Sequence, residues 1–146
     1  MAEDVAKFRA VEISPDQVVI VPGGKVTMWY AILMFGEPGA EIMYPNPGFP
    51  IYESVINYSG AKAVPIPLRE ENQFAFDAEE VLDKVTSATR LVILNSPANP
   101  TGGVVPREQF DRLVRGLEAH PEVMVLSDEI YSRLLYEGAE FVSLLE

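Results

Sequence analysis

Two strand ends and two loops hold the residues of this chain that could do chemistry. Leu91–Leu94 is a run of four apolar residues, too short for a helix and rich enough for a strand buried on both faces. It stops in the polar turn Asn95-Ser96-Pro97-Ala98-Asn99-Pro100-Thr101-Gly102-Gly103. Pro100 lacks an N–H and steers Asn99 into an extended conformation. Asn99 thus stands on stiff backbone just past the carboxyl end of a buried strand, where open α/β sheets bind ligands. The same composition also suits an ordinary polar turn. A second apolar run, Val123–Leu126, delivers Ser127-Asp128-Glu129-Ile130-Tyr131. Adjacent acids there could ligate a metal, but no second cluster of His, Asp or Glu completes such a site, and solvated acids at a strand end are the plain alternative.

Upstream, Pro22-Gly23-Gly24-Lys25 separates the short apolar run Val18–Val21 from a nearly unbroken one, Val26–Phe35. Glycines let backbone approach an anion closely, and free N–H groups at a helix start bind phosphate. Alternatively, the Gly-Gly pair is a tight turn. Gly-x-Gly-x-x-Gly and Walker patterns are missing, which disfavours a nucleotide-binding domain. Phe49 lies in the rigid loop Pro45-Asn46-Pro47-Gly48-Phe49-Pro50, either as a packing residue or as the wall of a pocket.

The elements that must position these residues alternate. Strands are predicted at 18–21, 41–44, 63–67, 91–94 and 123–126, with Pro65 and Pro67 marking the third as an edge. Helices are predicted at about 26–35 and 51–58, from Asp77 and from Pro106. The 26–35 helix is apolar all round except at Thr27, which suits a buried helix. Asp77 is the expected N-cap of its helix, with Glu80 as capping-box partner and Phe76 and Val81 as staple. Phe110, Leu113, Val114 and Leu117 give the last helix its apolar stripe. Residues 1–17 read as a polar leading segment turning at Ser14-Pro15-Asp16. His120, the lone histidine, sits in a helix breaker and reads as a surface loop residue. Such alternation implies an α/β fold, a three-layer domain with a mainly parallel sheet.

Composition bounds the partners. The chain has 146 residues, the size of one domain, and 48% hydrophobic content suits a folded core. Its net charge of −11 disfavours nucleic acid or an anionic membrane as partner. The absence of cysteine excludes disulfides, thiolate catalysis and thiolate metal sites, and suits a cytoplasmic protein. No secretory signal and no stretch of the ~20 apolar residues needed to span a bilayer is present.

Together, four motifs in order resemble the large domain of the fold type I enzymes that use pyridoxal 5′-phosphate (PLP), the aspartate aminotransferase superfamily. Asn99-Pro100-Thr101-Gly102 is similar to that family's Asn-Pro-x-Gly loop, and Asp128-Glu129-Ile130-Tyr131 to its Asp-x-x-Tyr strand end. Asn46-Pro47-Gly48-Phe49-Pro50 resembles the loop supplying the ring-stacking aromatic, and Pro22-Gly23-Gly24-Lys25 the phosphate loop. The resemblance covers roughly residues 18–138. It implies that Asp128 faces the pyridine nitrogen, that Asn99 and Tyr131 bond the ring's 3′ oxygen, and that Phe49 stacks on the ring. Gly23, Gly24 and Lys25 would then take the phosphate.

The departure from the family is large. Its Schiff-base lysine lies well beyond the Asp-x-x-Tyr strand, and this chain has no lysine after Lys84. Arginines for the phosphate and the substrate carboxylate are missing, as are the N-terminal arm and the small domain. The expectation is therefore residues 18–146 of a partial PLP-binding large domain, with no catalytic residue of its own and no metal. In the family, two later strands lie between the strand before the phosphate loop and the one carrying Asp128, which would split Val18–Val21 from the others. The parent activity implied is amino-group transfer from an amino acid to a 2-oxo acid in a homodimer. Relatives of the same fold run lyase and synthase reactions. The alternative is a non-catalytic remnant or partner domain that pairs with a full-length subunit.

Overall fold

A computed structural model describes residues 2–9 and 11–145. In chain order it contains α1 (Ala2–Arg9), α2 (Gly24–Phe35), β1 (Glu41–Asn46), α3 (Ile51–Ser59), β2 (Lys62–Pro67), α4 (Ala78–Asp83), β3 (Thr89–Asn95), α5 (Arg107–Leu117) and β4 (Met124–Asp128). Single 3₁₀ turns lie at Pro15–Gln17 and Glu70–Asn72.

The strands form one sheet in the order β2-β1-β3-β4, parallel throughout. Alternation along the inner strands divides the core into two layers. Ile42, Tyr44, Leu91 and Ile93 pack with Met28 and Ile32 of α2 and with Tyr52, Val55 and Ile56 of α3. Met43, Val92 and Leu94 face the other way, onto Val81 of α4 and Phe110 and Leu113 of α5. The result is the expected three-layer α/β/α arrangement. The chain runs from β1 outward to β2, then crosses back to place β3 on the other side of β1. Loops leaving β1 and β3 therefore diverge, and the crevice between their carboxyl ends is the ligand position of open parallel sheets.

Local chemistry explains most boundaries. Gly60 closes α3 in the left-handed conformation at φ 86°, which a side chain would resist. Pro65 and Pro67 lie on the outermost strand, where a missing donor breaks no second ladder. Asp77 caps α4 as expected, its Oδ1 accepting the Glu80 N–H at 3.0 Å. The expected return bond from Glu80 does not form; both its carboxylate oxygens accept from Arg69 instead, at 2.6 and 3.0 Å. A bidentate guanidinium outcompetes a single backbone N–H for a carboxylate.

Three expectations fail. Val18–Val21 has no strand pairing, and Val19 and Ile20 are 82% and 73% exposed. The sheet, bounded by β4, has no strand within reach of that segment. Helix α2 is apolar all round yet buries only Met28 and Ile32, leaving Tyr30 and Met34 60% and 75% exposed. The leading segment holds a helix, α1, that its short polar sequence does not announce. No residue of α1 is buried; Arg9 pairs with Glu129, and Phe8 stacks against Phe141 and Arg133.

The open edge of β4, with Met124 and Val125 exposed, and the outer face of α2 leave extended apolar surface in water. A 146-residue polypeptide of this sequence should therefore self-associate at micromolar concentration in sedimentation velocity. Replacing Tyr30 and Met34 by glutamate should shift it toward monomer. A monodisperse monomer of the unmodified chain would contradict this.

Candidate active site

The site assembles at the carboxyl ends of β1, β3 and β4, and Asn95 is its structural key. This residue ends the apolar run of β3 and is 6% exposed, so its amide must be satisfied internally. Its Oδ1 accepts the Asn99 N–H at 2.8 Å. Its Nδ2 donates to the Asp128 carbonyl at 2.9 Å and to the Pro97 carbonyl at 3.3 Å. One side chain thereby fixes both the Asn99 turn and the end of β4. The turn closes on itself through Ala98 N–H to the Gly103 carbonyl at 2.9 Å and Gly102 N–H to the Ala98 carbonyl at 2.8 Å. Gly103 admits no side chain, because a Cβ there would lie 2.7 Å from the Phe74 carbonyl oxygen.

Asp128 faces α3. Its Oδ2 accepts a 2.6 Å hydrogen bond from the Tyr52 hydroxyl, and its Oδ1 lies 3.3 Å from the Ile130 N–H. Burial, reinforced by the Asp128 carboxylate, pushes the Tyr52 phenol far above its usual range, so it stays a neutral donor. The Asn99 amide lies 3.5 Å from the Tyr131 hydroxyl, at the edge of hydrogen-bonding distance. Phe49 meets Tyr52 edge-to-face at 6.1 Å between centroids, and the Lys25 ammonium stands 5.8 Å from the Phe49 ring centre.

Gly23 precedes α2 at φ 93°, a conformation that favours glycine, and caps the helix without a side chain. The first N–H groups of a helix have no intrahelical acceptor, so those of Gly24 and Lys25 are available at this end. A Cβ on Gly24 would lie 3.9 Å from Ile130, which sets this helix start beside the Asp128–Tyr131 segment. Every residue singled out in the sequence thus falls into one neighbourhood: Gly23, Gly24 and Lys25, then Phe49, then Asp128, with Asn99 and Tyr131 closing the other side. A cavity of about 810 Å³ opens beside Asn99 and Tyr131, walled by Leu134, Leu135 and Val142. Among the described residues no group of three or more acids and histidines could hold a metal, and no helix is long and apolar enough to cross a membrane.

Sequence reasoning missed Tyr52 and Asn95. The signal for Tyr52 was its place with Val55 and Ile56 on the inward stripe of α3, where a buried hydroxyl needs an acceptor. For Asn95 it was a polar residue directly after four buried apolar ones.

A parallel four-stranded sheet covered by helices on both faces, with a glycine-led helix start, Phe49 and the half-buried Asp128 at one end, is the arrangement of an aminotransferase large domain. The comparisons agree: the family model for aminotransferase class I and II matches residues 1–146, and this chain belongs to that family. It is 37% identical over 126 residues to an arginine–pyruvate transaminase of Pseudomonas aeruginosa, covering 86% of this chain and 32% of that protein. The aspartate aminotransferase structure from Rhizobium meliloti superposes with a TM-score of 0.92 at 28% identity, over 99% of this chain and 37% of the other. That from Thermotoga maritima gives 0.91 at 33% identity, over 99% and 38%. The chain spans about a third of the length of the relatives it matches.

Because the Tyr52 phenol is held protonated, it should add nothing to tyrosinate absorbance through about pH 10, the ordinary tyrosine midpoint. Ultraviolet titrations of the folded protein and of Tyr52→Phe should coincide there, although the chain has six tyrosines. Loss of one tyrosine's signal in the variant would contradict it. Its folded pKa is raised, so the stability it contributes is complete below pH ~10 and is lost as pH rises further.

Proposed function

We propose that this chain is the cofactor floor of a PLP-dependent aminotransferase that moves an amino group from an amino acid to a 2-oxo acid. The observation that carries the reading is the unbroken set of neighbours from Lys25 through Phe49 and Tyr52 to Asp128. The residues present fit PLP. An anionic phosphate matches the N–H groups of Gly24 and Lys25 beside the Gly23 turn, whose φ of 93° a side chain would resist. An aromatic ring matches the half-buried face of Phe49, and a protonated ring nitrogen matches the Asp128 carboxylate. Asn99 and Tyr131, facing each other, suit a phenolic oxygen.

When bound, PLP supplies an electron sink that lets an amino acid substrate lose its Cα proton. The chain's own contributions are electrostatic and positional. Asp128 holds negative charge where a cationic ring atom needs it, and the neutral Tyr52 hydroxyl fixes the orientation of that carboxylate without cancelling it. Phe49 excludes water from one side. Lys25 stands at the phosphate end, so the covalent lysine is expected from sequence outside these 146 residues. The amino acid and 2-oxo acid substrates, a homodimeric assembly and a cytoplasmic location all belong to this proposal, and rest on the family.

The test is PLP titration of the full-length protein containing this segment, with substitutions. Asp128→Asn should lower kcat at least about tenfold, because a charge-assisted contact is worth ~1.5–3 kcal/mol. It should leave PLP retention largely intact, since the two side chains are nearly isosteric. Phe49→Ala should do the opposite, weakening retention more than kcat, as stacking is worth roughly 0.5–1.5 kcal/mol in all states alike. Near-normal kcat with PLP shed from Asp128→Asn would overturn the assignment of Asp128. The isolated 146-residue chain should show no transamination, and turnover by it would overturn the reading of its lysines.

A further inference from the structure

We infer that Glu129 is a positioning residue that braces Asp128 and Tyr131 from the side of the sheet opposite the proposed site; the inference rests on the cofactor reading above. The strand alternation separates the two acids. Asp128 pairs with Asn95 in register and turns toward Tyr52, whereas Ser127 pairs with Leu94, whose side chain faces α4 and α5. Glu129 shares the Ser127 side, and its Oε1 accepts the Ser127 hydroxyl at 2.9 Å.

Two further segments converge on the same carboxylate. The Ser143 hydroxyl, in a residue only 3% exposed, is 3.0 Å from Oε1 and 3.2 Å from Oε2. Arg9, at the end of α1, pairs with Oε2 at 2.5 Å, and both side chains are nearly buried, at 11% and 13% exposed. The guanidinium lies against both the Phe8 and Phe141 rings, 4.7 and 4.5 Å from their centres. Among the described residues its buried Nη1 has no hydrogen-bond partner, and Glu129 is the carboxylate that pairs with this cation.

A carboxylate carrying donors from β4, from the 141–145 segment and from α1 pins the backbone at residue 129. The neighbouring turn is short, closed by Ser132 N–H to the Glu129 carbonyl at 3.0 Å and Leu134 N–H to the Tyr131 carbonyl at 2.8 Å. Asn95 and Tyr52 hold Asp128 from the crevice side, and Glu129 holds the same backbone from the other, so fixing residue 129 adds to what sets where Asp128 and Tyr131 point. No atom of Glu129 is placed among the groups of the proposed site, so its effect is transmitted through the backbone.

The experiment compares the full-length protein with its Glu129→Gln and Arg9→Gln variants. Hydrogen–deuterium exchange without added PLP should be at least about tenfold faster at residues 128–132 in both variants, with protection in α4 and α5 unchanged. Arg9→Gln keeps the carboxylate and its serine donors, so it serves if Glu129→Gln fails to fold. With PLP added, the pH midpoint of the bound cofactor's absorbance should move in the variants, and kcat should fall with KM little changed. Exchange that is unaltered at 128–132, or accelerated equally in α4 and α5, would overturn the inference. A full-length protein that takes up no PLP before any substitution would instead overturn the cofactor reading, and the exchange comparison does not depend on it.

Discussion

Burial of β3 on both faces is the constraint from which the other placements follow. Leu91 and Ile93 need cover from one layer of helices, Val92 and Leu94 from the other, so α2 and α3 lie on one side and α4 and α5 on the other. Each return through a helix makes the next strand parallel, which brings every carboxyl end to the same side of the sheet. Asn95 is the first residue past that strand's apolar run, Leu91–Leu94. Buried there, its amide is obliged to find partners, and the ones within reach are the backbones of the two segments that carry Asn99 and Asp128. The gathering of polar groups at the site is thus a consequence of satisfying one amide at the end of an apolar strand.

Much of this was legible in the sequence. The apolar runs at 41–44, 91–94 and 123–126 mark strands because four adjacent apolar residues have few other homes, and the prolines of β2 mark its edge. The positions of Asn99 and Phe49 were legible because each follows such a run within a proline-rich loop, and that of Asp128 because it ends the strand formed by one. Less legible was anything set by a partner far along the chain. Tyr52 meets Asp128 across 76 positions, and no local pattern encodes that distance. Glu80 looked like half of a capping box until Arg69 came within reach. The Val18–Val21 run has the composition of a buried strand, yet composition records what a segment could pair with and does not supply the pairing strand. Helix α1 escaped detection because eight mixed residues carry neither an apolar stripe nor a strong cap.

The ion pairs of this acidic chain differ in weight. The Arg112 pairs join long exposed side chains, and such contacts are worth about 0–1 kcal/mol; Lys62–Glu41 joins an exposed ammonium to a largely covered carboxylate. Arg9–Glu129 is mostly out of water, where removing one partner of an ion pair costs about 3–5 kcal/mol because the other is left uncompensated. The Tyr52–Asp128 contact belongs to a third kind. Its donor is neutral, so the carboxylate is oriented and keeps its full charge for whatever lies in front of it.

The opposite orientations of Asp128 and Glu129 have a consequence for assembly. Side chains alternate along a strand, so a slip of β4 by one position against β3 would exchange the two acids. Asp128 would be offered to Arg9 on a shorter stem, and Glu129 would be thrust at the Tyr52 hydroxyl from too far forward. The fold would look almost unchanged while the charge in the crevice was misplaced. The amide of Asn95, reaching across to the Asp128 carbonyl, acts as a gauge against that error. It rewards only the alignment in which the shorter acid looks into the crevice and the longer one looks away.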